Sequence, residues 1–233
     1  MEIKDDPESQ SKAIRCHFKE VADTYDELAT KNDMSHGILS AAAVKNIETG
    51  DKVLDIACGT GLVSEPLMRA GAEVFGVDGE EAMLSKFEKK GVAKDHLHMA
   101  DLMGNGVKLP YASDYFDCIV CNGFLYYVRD FGPLFAEAQR VLKSGGRFHF
   151  SFEEEYGEDG KDYKIIEGRR VSKIMLEQRN RMVYFHNRPQ TQALLAMQGF
   201  SEVDLTKPTF VHNSPTTGRP VYYTFVDARK TGL

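Results

Sequence analysis

The 233-residue chain has no excess of basic residues: 29 lysines and arginines stand against 35 aspartates and glutamates, a formal net charge of −6. It offers no broad cationic footprint for a nucleic-acid backbone, so a nucleic-acid partner is not expected. No stretch approaches the roughly 18 consecutive apolar residues of a membrane-spanning helix, so a membrane partner is not expected either. The start, Met-Glu-Ile-Lys-Asp-Asp, lacks the apolar core of a secretion signal. Together these absences point to a cytoplasmic protein. Cysteine is sparse: Cys16, Cys58, Cys118 and Cys121. Cys118 and Cys121 form a C-x-x-C pair, but within a run that reads as a buried strand, where residues three apart point to opposite faces. No second pair and no nearby histidine completes a zinc site, so no metal is expected. Free thiols in a reducing compartment are the simpler reading.

What is present is a hydrophobic content of 42%, enough for a substantial core. The length favours one α/β domain over residues 1–233. Its organising stretch is Val53-Leu54-Asp55-Ile56-Ala57-Cys58-Gly59-Thr60-Gly61. Four strand-forming residues run into a glycine turn, and Leu62, Val63, Pro66, Leu67 and Ala70 then follow a helical pattern. Gly59 and Gly61 let a ligand approach the backbone closely, and the helix start behind them presents unpaired N–H groups. The dinucleotide fingerprint fails at Ser64, where its last glycine or alanine belongs, and the Gly-Lys-Ser/Thr ending of a P-loop is absent. Asp55, inside the strand end, suits a ligand with a cationic group better than a bare pyrophosphate.

This stretch resembles motif I of the class I S-adenosylmethionine (SAM)-dependent methyltransferases. The resemblance extends from about residue 18 to residue 225. Residues 18–26, Phe-Lys-Glu-Val-Ala-Asp-Thr-Tyr-Asp, are similar to the F-x-x-x-A-x-x-Y-D segment of many small-molecule methyltransferases, where it forms part of a lid over the cofactor. Tyr25 is then expected against the methionine part of SAM. Asp78 ends a second strand, where a carboxylate can accept hydrogen bonds from ribose hydroxyls. Gly79 follows, and Met83 in the next helix is placed to pack on adenine. Asp101-Leu102, after strand three, matches the family's pair beside the adenine. Strand four, residues 116–121, ends in Asn122 and Gly123, on the loop that borders cofactor and acceptor in the family. The cofactor set implied is Tyr25, Asp55, Ala57, Gly59, Gly61, Asp78, Gly79, Met83, Asp101, Leu102, Asn122 and Gly123.

The same loop continues Leu125-Tyr126-Tyr127, where many relatives carry a Leu-His-His-like sequence. That departure removes a common candidate base and leaves Tyr126 and Tyr127 as the candidate catalytic and acceptor-orienting residues. Strand five is expected to place Phe148, Phe150 and Phe152 on one face and His149 and Ser151 on the other, with His149 a satisfied core histidine. Beyond it, residues 153–188 read as an insertion with an acidic start and an arginine-rich remainder. Glu153 is a candidate for holding an amine or acting as a base. Arg169, Arg170 and Arg188 are candidates for clamping a substrate carboxylate.

The fold implied is α/β: a Rossmann-like, seven-stranded, mostly parallel sheet with one reversed edge strand and helices on both faces. Two N-terminal helices, over residues 11–47, are expected as a lid, with Ser35 capping the second and Asp130 capping a later helix. The product of the implied cofactor is S-adenosyl-L-homocysteine, and the acceptor implied is a small molecule methylated at oxygen, nitrogen or sulfur. RNA or protein methylation, and SAM binding without catalysis, are the alternatives. A nicotinamide dehydrogenase fits less well because of Ser64.

Overall fold

The computed structural model describes residues 6–103, 106–154, 163–166, 169–172, 182–214, 218 and 220–232. Three helices come first: α1 (Pro7–Val21), α2 (Tyr25–Asn32) and α3 (Ser35–Val44). The core then alternates: β1 (Lys52–Ile56), α4 (Ser64–Arg69), β2 (Glu73–Asp78), α5 (Glu81–Glu88), β3 (Leu97–Met99), β4 (Phe116–Cys121), α6 (Gly132–Val141) and β5 (Leu142–Glu153). A small hairpin, β6 (Tyr163–Ile166) with β7 (Arg169–Ser172), follows. The chain closes with α7 (Arg188–Met197), β8 (Phe200–Leu205), β9 (Thr209–Asn213) and β10 (Pro220–Lys230).

The main sheet runs β3-β2-β1-β4-β5-β10-β8, with β9 paired to β10 as its eighth strand. The first five strands on this path are parallel, and β10 is antiparallel to β5, β8 and β9. The seven-strand path agrees with the expected fold, but the reversed strand is interior rather than at the edge. Burial explains this. β10 holds a run buried on both faces, as an interior strand requires, whereas β8 after its buried Phe200 alternates half-buried and exposed positions like an edge strand.

Side chains alternate between two apolar layers. Along β4, Ile119 and Cys121 enter the layer that contains α6, while Cys118 and Val120 enter the layer that contains Leu39 of α3, Leu67 of α4 and Phe87 of α5. The C-x-x-C pair is therefore split between opposite faces. Phe148, Phe150 and Phe152 are fully buried on the α6 side, where the Phe135 ring lies 5.4 Å and 5.0 Å from those of Phe148 and Phe150. His149 is buried on the other face, but among the described residues it is not satisfied: Nδ1 stands 3.8 Å from Asp227 Oδ1 and Nε2 has no hydrogen-bond partner.

The N-terminal region differs from expectation in its breaks. Asp6 caps α1 through a 2.8 Å bond from the Ser9 amide, so the helix starts earlier than the polar composition suggests. It stops at Val21 and restarts at Tyr25, because the Val21 carbonyl accepts from the Thr24 amide and closes a turn. Asp33, rather than Ser35, receives the amide at the start of α3, at 2.8 Å from Ser35 N. Asp130 likewise accepts from the Gly132 amide, with Phe131 at the cap position of α6. Gln10 braces α1 against the end of the insertion, donating to the Met182 carbonyl at 2.6 Å and accepting from its amide at 3.1 Å. Among the described residues no helix is long and apolar enough to cross a membrane.

Truncating Phe135 to alanine removes the ring on which two strand-five phenylalanines pack. It is expected to cost about 3–5 kcal/mol, read as a lowered denaturant midpoint with an unchanged slope.

Candidate active site

Strand order reverses at β1. The chain moves outward to β2 and β3, then returns to add β4 and β5 on the other side. Ligands of open α/β sheets bind in the crevice at the carboxyl ends of such strands. A cleft of about 620 Å³ opens there, lined by residues that include Tyr25, Ala57, Gly59, Asp78, Gly79, Met83, Asp101, Leu102, Asn122 and Gly123. A smaller hollow of about 280 Å³ adjoins it and shares Tyr25, Ala57, Gly59 and Asn122, adding Asp55, Thr60 and His36.

The loop after β1 turns sharply: Ala57 has φ 57°, Gly59 φ 52° and Gly61 φ 83°. A left-handed alanine is uncommon and costs energy, of the kind concentrated at functional sites. Gly59 has open space where a Cβ would stand. Gly61, in contrast, does not line either hollow. A Cβ there would come within 2.2 Å of the Phe87 ring, so its glycine serves helix packing rather than ligand approach.

Asp78 joins two loops. Its Oδ2 accepts from the Gly59 amide at 2.9 Å and its Oδ1 from the Glu80 amide at 2.9 Å. Burial pushes its pKa up to about 6, against those two amide bonds. Asp55 is 2% exposed and accepts from Ser64 Oγ at 2.7 Å. Burial raises it to about 7; the Ser64 bond works against this and the Asp78 charge adds to it. Ser64, which breaks the dinucleotide fingerprint, is thus the partner of the strand-one carboxylate. Asn122 is fixed from both sides, donating to Ser35 Oγ at 2.9 Å and accepting from Ser151 Oγ at 2.7 Å. Ser151 also accepts from the Gly123 amide at 3.3 Å.

The N-terminal helices cover the cleft. Ser11, Ile14, Arg15 and Phe18 of α1 line it, and the Arg15 stem lies over Gly79. Phe18 is expected here as the first residue of the lid-like segment 18–26, and Ile14 follows the same apolar helical spacing. The polar Ser11 and Arg15 on the same helical stripe were the missed signal. His36, Thr60, Glu80, Met103 and Phe124 were also missed. Asp26 of α2 accepts from Thr60 Oγ1 in the motif loop and pairs with Lys90 at 2.6 Å, and Asp23 pairs with Lys86 of α5. The cover is therefore tied to the glycine loop by charge.

Tyr126 and Tyr127 lie beside the cleft rather than in its lining. They sit on the 3-10 turn Leu125–Tyr127, their ring centres 4.4 Å apart, and Tyr127 meets Phe18 edge-on at 6.3 Å. Burial pushes the Tyr126 phenol well above its usual value. Arg188 is not available as a clamp. Its guanidinium bonds Glu154 at 3.0 Å and Thr224 Oγ1 at 3.1 Å and also donates to the Thr206 carbonyl. Arg169 and Arg170 are on β7, with their side chains outside the described residues, as is the basic stretch 173–181.

Residues 54–150 match the family model described as a methyltransferase domain. The matched residues run from β1 to β5, and the fold is similar to that of solved S-adenosylmethionine-dependent methyltransferases. Among curated proteins it is similar to the demethylmenaquinone methyltransferase of Symbiobacterium thermophilum, 31% identical over 151 residues that span 61% of this chain and 59% of that one. The demethylmenaquinone methyltransferase of Streptomyces avermitilis is 32% identical over 138 residues, spanning 55% and 58%. The chain thus spans about three fifths of the length of the curated relatives it matches. Among solved structures, an S-adenosylmethionine dependent methyltransferase from Mesorhizobium loti superposes with a TM-score of 0.61 at 23% identity, over 82% of this chain and 98% of that one. The 1,6-didemethyltoxoflavin-N1-methyltransferase of Burkholderia thailandensis, solved with 1,6-didemethyltoxoflavin and S-adenosylhomocysteine, gives 0.67 at 18% identity over 98% and 92%.

The Asp55 titration has a stability consequence. Its pKa in the fold, about 7, lies above that of the unfolded chain, so the ionised group opposes folding. The penalty is full above pH 7 and fades as pH falls toward the ordinary aspartate value. Asp55→Asn is therefore expected to stabilise the ligand-free protein on the order of 3 kcal/mol at pH 8, and far less at pH 4. Thermal unfolding of both proteins across that range checks this.

Proposed function

We propose that this chain transfers the methyl group of SAM to a small-molecule acceptor. The observation that carries the reading is the Asp78 carboxylate, held across the Gly59 and Glu80 amides on the wall of the cleft. Each oxygen keeps further acceptor capacity, which suits a pair of vicinal hydroxyls on a ribose. The donor set fits the rest of the cofactor as well. Asp101 and Leu102 border the adenine, and Met83 packs on it. Asp55, Ala57, Gly59, Asn122, Gly123 and Tyr25 surround the methionine end, where the two hollows meet. Gly61 and Gly79 shape the backbone on either side.

When bound, SAM supplies a methyl carbon made electrophilic by the adjacent sulfonium. The protein's share is alignment and exclusion of water. Phe18 and Tyr25 cover the cleft from the lid side, Tyr127 packs behind Phe18, and Tyr126 flanks Gly123 where the acceptor approaches. A cleft covered in this way suits a metabolite. So do the small-molecule names of the relatives, and the net charge of −6 works against a polyanionic acceptor.

The test has two stages. Calorimetry should show SAM and S-adenosylhomocysteine binding, with Asp78→Ala weakening both by tenfold or more, as loss of a bidentate acceptor predicts. Methyl-labelled SAM, incubated with the protein and a cell extract, should then deliver label to a small fraction resistant to protease and ribonuclease. Label in RNA or protein would overturn the small-molecule reading. Failure to bind SAM would overturn the whole of it.

A further inference from the structure

The parity of strand five separates two adjacent carboxylates. Glu154 faces the α6 side with Phe152 and is neutralised by Arg188 and Thr224. Glu153 faces the lid side, with Ser151. Ser151 holds Asn122 and Gly123 on the cleft wall. Glu153 is two residues further toward the ligand end of the sheet, about 7 Å along the strand. Among the described residues no donor and no cation reaches its carboxyl group, and burial alone pushes it up to about 7.

The surroundings of Glu153 are aromatic. Tyr223 stands opposite it in the β5–β10 register, buried at 3% exposure. The Tyr223 ring is 6.0 Å from that of Tyr126, which is 4.4 Å from Tyr127. From there the rings continue through Phe18 to Tyr25, at 6.3 Å and 6.0 Å, into the cleft lining. The Tyr126 hydroxyl lies 3.9 Å from where a Cβ on Gly123 would stand, so this wall abuts the cleft directly. Asp33, at the start of the lid's third helix, adds its charge to the field at Tyr126 and Tyr223. Among the described residues the site is therefore built from phenol rings and an uncompensated carboxylate, while the Arg188 guanidinium is turned to Glu154 and Thr224 on the opposite face of the sheet. Such a wall attracts cations through ring quadrupoles and charge, and repels carboxylates.

Resting on the methyltransferase reading for its place in the reaction, we propose that the acceptor is an amine, held as its ammonium by Glu153 against the Tyr126–Tyr223 wall. Glu153 then accepts one proton from the ammonium, which leaves a neutral amine and a carboxylic acid. The freed lone pair forms the N–C bond to the methyl carbon as the electron pair of the C–S bond goes to sulfur. The positive charge of the sulfonium ends on the N-methylated product, and Glu153 returns its proton to solvent. This replaces the carboxylate-bearing substrate that the arginine-rich sequence suggested.

The test is binding to the full chain saturated with S-adenosylhomocysteine, using a matched series: 2-phenylethylamine, 2-phenylethanol and 3-phenylpropionate. The amine is expected to bind at least tenfold more tightly than the alcohol or the acid. Glu153→Gln should abolish that preference while homocysteine-cofactor affinity is unchanged, and Glu153→Asp should restore part of it. Equal or tighter binding of the alcohol or acid overturns the proposal. So does no binding of the amine at millimolar concentration, or a preference that survives Glu153→Gln. Cofactor affinity on the same samples separates these results from failure of the methyltransferase reading, which would appear as absence of any cofactor binding.

Discussion

Two carboxylates, the buried Asp55 and the half-buried Asp78, stand near the ends of adjacent strands, and among the described residues neither makes an ion pair; the rest of the site is arranged around that cost. An ionised carboxylate in a protein interior is tolerated only where hydrogen bonds replace water. Here the replacement comes from Ser64 on one side and from the Gly59 and Glu80 amides on the other. Those amides are free because both belong to loops that lead into helices, where the first N–H groups lack helical partners. The glycine loop thus satisfies Asp78, and Asp78 in turn fixes the loop. A ligand that brings its own positive charge and hydroxyl groups relieves what remains of the strain.

The lid follows from the same economy of charge. Asp26 reaches the motif loop through Thr60 and the turn after α5 through Lys90, while Lys90 also meets Glu65 at 2.7 Å. Surface ion pairs contribute little singly, about 0–1 kcal/mol each. Gln10 and Met182, by contrast, form a buried two-way brace that anchors the far end of α1. One end of the lid is thereby fixed and the other is held by weak pairs.

Much of this arrangement was legible in the sequence, for physical reasons that differ by element. The β1 loop could be read because glycines, a strand run and a helical period are all local signals. The positions of Asp78 and Asp101 followed from counting strand ends. Tertiary facts were less legible. The break between α1 and α2 falls inside continuous helical spacing, and only the Val21–Thr24 turn reveals it. β9 hid in a loop flanked by prolines, because pairing with β10 rather than composition makes it a strand. The interior place of β10 could have been read from its unbroken apolar run. That Arg188 is occupied could not be read, since its partners lie 34 and 36 residues away in sequence.

The acceptor side turns on a single-residue parity. A one-residue slip along β5 would exchange the faces of Glu153 and Glu154, placing the neutralised carboxylate in the aromatic chamber and the bare one against α7. The register is set by Phe148, Phe150 and Phe152, which must all enter the α6 layer, and by the antiparallel pairing of Tyr223 with Glu153 and Thr224 with Phe152. The phenylalanine alternation that builds the core therefore also decides which charge faces the ligand. A composition rich in arginine across 153–188 suggested an anionic substrate. Residue counts do not record facing, however, and facing is what an incoming acceptor meets. The same parity puts Ser151, and through it Asn122 and Gly123, in line with Glu153, so that the cofactor wall and the proposed amine site are successive positions on one face of one strand.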